Sequence, residues 1–252
     1  MTYCVGILTG TGLVMLADTR TNAGLDNIST YRKLHTFEVP GERLVAIATA
    51  GNLSISQSVL NLLQEGVGGD GEGTQTILDV ETMFDAARLV GRAIRQVYNT
   101  LGPTREAQDV NFDVSFLLGG QVADRRLRLF QVYAAGNFIE AGSDTPFLQI
   151  GEHKYGKPIL DRAISFDTDV MEALKLALIS MDSTLRSNLS VGLPADVLVY
   201  QRDELRAAIR HRIEPDDPYF IDLSERWSRA LREAHGAIPA PHWEERRAPP
   251  QG

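Results

Sequence analysis

Short apolar runs punctuated by glycine dominate the first fifty positions. Residues 3–9 (YCVGILT) and 13–19 (LVMLADT) are separated by Gly10-Thr11-Gly12, and a short Gly-containing gap between two such runs predicts a hairpin. Residues 33–39 (KLHTFEV) alternate, with Leu34, Thr36 and Glu38 set against His35, Phe37 and Val39. That spacing predicts a strand with one buried face. Pro40-Gly41 turns the chain, and residues 43–50 (RLVAIATA) form an almost unbroken apolar run ending at Gly51, the pattern of a strand covered on both sides.

The period then changes. Leu53, Ile55, Val59, Leu60, Leu62 and Leu63 fall at helical spacing within residues 52–65, and residues 66–73 (GVGGDGEG) read as a loop. Residues 81–101 predict a long amphipathic helix with Met83, Ala86, Ala87, Val90, Ile94, Val97 and Leu101 on one stripe, stopped by Gly102-Pro103. Strand patterns return at 111–120, 126–136 and 147–151. Two helices are expected at 152–162 and 168–186, the second introduced by Asp167 and Thr168, with Met171, Leu174, Leu178 and Met181 on one face. A strand at 195–201, an ambiguous stretch at 204–213 and a last helix at 218–235 complete the order. Strands, two helices, strands, two helices and a strand disfavour a doubly wound parallel sheet. They fit two antiparallel sheets facing each other, with helix pairs on the outer faces. We expect one domain over 1–235 and a flexible Pro-rich, charged tail over 236–252.

Composition narrows the function classes. The chain has 252 residues, 43% hydrophobic, enough to bury a sizeable core. A net charge of -8 argues against nucleic acid or an anionic membrane surface as partner. No apolar run approaches the ~18 residues of a spanning helix, and no secretory leader pattern opens the chain. Cys4 is the single cysteine, so no intrachain disulfide can form, which suits a reducing, cytoplasmic setting. His35, His153, His211, His235 and His242 show no metal-ligand spacing, and no cofactor is expected.

Chemistry enters at the second position. With Met1 trimmed, Thr2 carries a hydroxyl and a free amine on one residue, a nucleophile with its own base. Such a group needs a cation to depress the amine's pKa, a carboxylate to hold that cation, and a donor for the oxyanion. The hairpin returns Asp18, at the end of LADT, towards Thr2. If the third strand runs back alongside, Lys33 at its start can reach between Asp18 and Thr2. Gly51, leaving a buried strand before a helix, can offer its backbone N–H. Taken singly, Asp18 at a strand end is more often a turn residue, Lys33 is by default a solvated charge and Gly51 can simply cap the strand; it is the hairpin that links them.

The linked pattern resembles a proteasome-type β-subunit. The resemblance rests on the initial Thr after Met, LADTRTNAG (16–24), RK (32–33) and ATAGN (48–52). Within that family, the MTYCVG start, the NIST-YRK segment and SNLSVG (187–192) resemble the Anbu group of bacterial proteasome homologues. The resemblance implies an α+β, four-layer αββα sandwich of two antiparallel sheets between helix layers, the N-terminal-nucleophile hydrolase fold. It implies threonine-type hydrolysis of peptide bonds in peptides or unfolded proteins. It also implies a homo-oligomeric ring or related stack, with an ATP-driven unfoldase as a conceivable partner. Residue by residue, Thr2 matches the nucleophile, Asp18 and Lys33 the charge pair, and Gly51 the oxyanion donor. Arg20 matches the arginine beside the carboxylate, and Ser190 a serine bonding near the terminal amine. The chain departs from the family at Ile150, where a serine is usual, and at Ser187, where an aspartate is usual; Ser187 or Asn188 is left to replace that carboxylate. An amidase on small substrates, and a structural subunit with vestigial chemistry, remain alternatives.

Overall fold

The first two apolar runs pair as the expected hairpin: β1 (Tyr3–Leu8) lies antiparallel to β2 (Gly12–Asp18), with Cys4 opposite Ala17. This computed structural model describes residues 1–22, 28–69, 72–101, 113–241 and 243. It divides into two compact units, Met1–Asp217 and Pro218–Gly252. In the first unit the hairpin is followed by β3 (Arg20–Asn22), β4 (Ile28–Thr30), β5 (Leu34–Val39), β6 (Arg43–Gly51) and α1 (Leu53–Glu65). Next come β7 (Val67–Gly69), β8 (Glu72–Gln75), α2 (Met83–Leu101), β9 (Val114–Val122), β10 (Arg128–Tyr133), β11 (Phe138–Glu140) and β12 (Phe147–Gly151). The unit closes with α3 (Lys157–Ala163), α4 (Val170–Ser187), β13 (Ala195–Gln201) and β14 (Ile209–Ile213). The second unit holds α5 (Pro218–Ala237), with an Asp222–Arg226 pair one turn apart. Most of the expected tail lies outside the described residues. No helix among the described residues is long and apolar enough to cross a membrane.

Two five-stranded antiparallel sheets dominate the first unit, in the orders β12-β1-β2-β13-β14 and β11-β10-β9-β6-β5. The two faces of β6 explain its unbroken apolar run. Leu44, Ala46, Ala48 and Ala50 join Cys4, Leu13, Met15 and Ala17 in a core shared by both sheets. Val45 and Ile47 instead meet Ile55, Val59 and Leu63 of α1 and Ala86, Val90 and Ile94 of α2. Asn52 caps α1, its side chain accepting from Ile55 N–H at 3.3 Å.

Five sequence expectations need correction. The third strand does not lie beside the hairpin. The turn between Val39 and Arg43 folds β5 back on β6, and the free edge of β2 is taken by β13, which places Ala195 opposite Asp18. Nor does β5 bury one face: it buries Leu34 towards the inter-sheet core and Phe37 towards the helices. As an edge strand it is only partly covered elsewhere. The Gly-rich stretch at 66–73 is a short hairpin of β7 and β8, with residues 70–71 outside the description. Helix α3 is shorter than expected, because the chain turns at residues 152–156 and the helix starts only at Lys157, with Pro158 in its first turn. The stripe of α4 holds in part: Leu178 and Met181 are buried as expected and Leu174 is half-buried, but Met171 is exposed, and Val170, Ala173, Ala177, Ser180 and Thr184 make up the rest of the buried face. Those small side chains let the helix lie close to β1 and β2. The expected stop at Gly102-Pro103 falls outside the described residues.

Candidate active site

Thr2 immediately precedes β1 and is 8% exposed. Its carbonyl accepts from Glu152 N–H at 2.6 Å, so the end of β12 pins its backbone from one side. Gly151 makes that approach possible. Its φ is +79°, and a Cβ there would lie 2.0 Å from Thr2 O, a combination only glycine tolerates.

Asp18 ends β2 on the other side of β1. Tyr3 N–H donates to Asp18 Oδ1 at 3.0 Å, and Gly192 N–H donates to Oδ2 at 3.4 Å. Lys33 Nζ donates to Asp18 Oδ1 at 2.8 Å and to Arg20 O at 2.6 Å. Both members of this ion pair are buried. Lys33 reaches Asp18 from the opposite sheet. The chain leaves β2 at Asp18, runs through the β3–β4 hairpin with Arg20 opposite Thr30, and re-enters at the start of β5. Burial pushes the Asp18 carboxyl above its ordinary value, against the pull of the Lys33 ammonium and the two amide donors.

Gly51 ends β6 with φ +99°, where a Cβ would stand 2.0 Å from Asp113 O. Thr49 N–H donates to Lys33 O at 3.0 Å. Amides two residues apart along a strand point to the same side, so the Gly51 N–H is directed to the same edge, past the first residue of β5. Thr2, Lys33 and Gly51 line one cleft of about 500 Å³, together with Met1, Thr21, Ser115, Gln131, Gln149 and Glu152.

Arg20, Ser187 and Ser190 do not line the cleft. Arg20 turns its side chain to Leu189 O at 3.1 Å, and so holds the SNLSVG segment. Ser187 is the exposed last residue of α4. Ser190 is half-buried, its N–H donating to Asn188 Oδ1 at 2.9 Å. Neither serine lines the cleft. Asn188 does reach its rim: Nδ2 donates to Glu152 Oε2 at 3.2 Å. Ile150 is a buried wall residue opposite Cys4. The Cys4 thiol is fully buried, donates to Thr49 O, and is pushed up by that burial, which fits a packing role. Glu152, Gln149, Gln131, Ser115 and Thr21 were not singled out from the sequence. Gln149 had one signal, its period-two alternation with the buried Leu148 and Ile150.

Two facing antiparallel sheets, with a cleft where β1 begins, put the chain in the class of proteasome-like β-subunit structures, and solved relatives bear this out. No protein-family model and no curated protein matches the chain. Among solved structures it is 48% identical to an Anbu (Gly-1) mutant from Hyphomicrobium sp. strain MC1, covering 95% of this chain and 99% of that one with a TM-score of 0.86. It is 47% identical to Anbu (ancestral beta-subunit) from Yersinia bercovieri, covering 96% and 100% with a TM-score of 0.87. It is 48% identical to Anbu of Pseudomonas aeruginosa, solved as a helical assembly, covering 95% and 98% with a TM-score of 0.87. The chain belongs to the Anbu family of proteasome-like β-subunits.

Proposed function

We propose that this protein is a self-assembling threonine peptidase that cleaves peptide bonds through Thr2 once Met1 is removed. The observation that carries the reading is the buried Lys33–Asp18 pair at the wall of a cleft that also holds Thr2 and Gly51. While Met1 is attached, Thr2 N is an amide and cannot act as a base. Removing Met1, which is 63% exposed at the cleft, leaves an amine whose reference pKa is about 7.7–8.0. The Lys33 charge lowers that value and favours the neutral amine.

The Thr2 hydroxyl gives its proton to that amine, directly or through one water, as Oγ bonds to the scissile carbonyl carbon. The carbonyl oxygen becomes an oxyanion facing the Gly51 N–H. Collapse breaks the C–N bond, the leaving nitrogen takes the proton, and an ester on Oγ remains. Water then adds to the ester and gives its proton to the amine. The proton returns to Oγ as the carboxylic acid leaves. Asp18 orients Lys33 and keeps it charged. Arg20 holds the segment that carries Ser190 and Gly192, and no step is assigned to Ser187 or Ser190, which lie off the cleft.

The reading brings the finer fold description with it: a four-layer αββα sandwich, a domain extending to 235 and a tail beyond. Assembly is supported by the helical arrangement of the P. aeruginosa relative. We place the particle in the cytoplasm, with peptides or unfolded proteins as substrate and an ATP-driven unfoldase as a partner to be sought. Intact-mass measurement with a peptide epoxyketone tests the core of this. The probe closes a ring using both hydroxyl and amine of an N-terminal threonine. Loss of Met1 with gain of one probe is expected, and Thr2→Ala is expected to gain none. Met1 retained, or lost without an adduct, overturns the peptidase reading. It would favour a structural subunit with vestigial chemistry, a reading that draws on the buried Ile150 wall and on Ser187 and Ser190 lying off the cleft.

A further inference from the structure

We propose that Gln149 is a substrate-binding residue whose side-chain carbonyl accepts an N–H from the main chain of a bound polypeptide. The proposal rests on the peptidase reading above and assigns the substrate contact on the side of Thr2 away from Lys33. Sheet order fixes that side. β12 and β2 flank β1, so Gln149 and the Lys33–Asp18 pair stand on opposite sides of Thr2. In the facing sheet Gly51 is on β6 and Gln131 on β10, with β9 between them. The cleft does not end at this wall. Gln131, Gln149 and His153 also line a second chamber of about 490 Å³, with Phe147 and Ile164 among its apolar walls. An extended chain crossing Thr2 therefore passes Gln149 as it moves from one space to the other.

A chain of hydrogen bonds sets which end of the Gln149 amide that substrate meets. The Ser180 hydroxyl donates to Ala177 O at 2.7 Å. The Tyr3 hydroxyl, 2.7 Å from Ser180 Oγ, must then give its own hydrogen to Ser180. Only a donor can approach the Tyr3 oxygen that remains, and Gln149 Nε2 does so at 2.8 Å. Tyr3 is fully buried, and that burial pushes its phenol far up, so it keeps its hydrogen. The amide nitrogen is thereby held on the helix-covered face of the sheet beside Tyr3 and Ser180, and Oε1 is left for the second chamber, which Phe147 of that same face also lines. Among the described residues, none donates to Oε1. An acceptor held in one orientation suits a main-chain N–H, the donor that every residue but proline presents whatever its side chain. Tyr3 is in this scheme a positioning residue, acting on substrate only through Gln149.

The test uses the full chain carrying Thr2→Ala, so that bound peptide is not turned over. Anisotropy of a labelled decapeptide is measured for a series in which each amide in turn is replaced by an ester, deleting one N–H. One ester is expected to weaken binding about fivefold to tenfold. The same ester is expected to have no effect once the near-isosteric Gln149→Met is added. Tyr3→Phe, which keeps the ring, is expected to blunt that discrimination while leaving the other positions of the scan unchanged. An identical ester profile in the Gln149→Met protein overturns the contact. Full discrimination in Tyr3→Phe overturns the positioning role alone. Absence of peptide binding in every variant is a different failure, of the peptide cleft itself, and takes both proposals with it.

Discussion

A lysine and an aspartate enclosed together lose water on both sides, and only their mutual attraction and the donors around them offset that loss. Asp18 collects three donors, from Lys33, Tyr3 and Gly192, while Lys33 adds Arg20 O as a second acceptor. Lys33→Met leaves the carboxyl buried without its counter-charge. The expected cost is about 3–5 kcal/mol, read from the denaturant midpoint, with hydrolysis abolished. Retained turnover would remove Lys33 from the chemistry. The pH dependence of Asp18 has two opposite signs. Its proton is held more tightly in the folded chain than in the unfolded one. Its contribution to stability is therefore fully present below the ordinary carboxylate pKa and is lost as pH rises through the raised native value. Activity runs the other way, because protonated Asp18 no longer holds Lys33 by charge. Subtracting the stability curve of Asp18→Asn from that of the wild type is expected to show the first effect. The acid limb of the hydrolysis rate, lying above the ordinary carboxylate range, is expected to show the second. Cys4, buried and raised, is expected to resist alkylation until the protein unfolds. Labelling of the native protein would contradict its packing role.

At the level of elements, the glycines that end β6 and β12 matter more than the helices around them. Gly151→Ala would force a methyl to within 2.0 Å of Thr2 O, so either β12 or Thr2 must shift. A displacement of about 1 Å at a reacting group can cost on the order of 100-fold in rate. That is the expected loss in hydrolysis, with far-ultraviolet circular dichroism unchanged; undiminished hydrolysis would contradict it. Element scale is also where the sequence was most and least readable. The β1–β2 hairpin, β6 and α2 were legible because a glycine gap, a two-faced apolar run and a long helical stripe are local signals. The meeting of Asp18 with Lys33 was foreseen by the wrong route, since which sheet receives β5 is decided by the β5–β6 turn and by β13 arriving much later in sequence. Gln149 and Glu152 carried almost no signal. Their place in the cleft depends on β12 pairing with β1, a contact across more than a hundred residues.

For the whole molecule, chemistry and association are expected to separate. Thr2→Ala changes a residue at the start of β1 and removes only a hydroxyl and a methyl group. It is expected to sediment as the wild type does while losing all hydrolysis. A change in sedimentation would tie the nucleophile to assembly.

The Lys33–Asp18 pair joins a residue before β5 in one sheet to the end of β2 in the other. It therefore acts as a rivet through both sheets at the cleft end. Any motion that slides or parts the sheets there must first draw a charged group out of its enclosure, a local opening with a high free-energy threshold. In hydrogen–deuterium exchange the Tyr3 amide, bound to that same carboxylate, should open only with the sheets themselves. The cleft floor would then be among the last places in the first unit to admit solvent, although it lies beside a cleft of about 500 Å³.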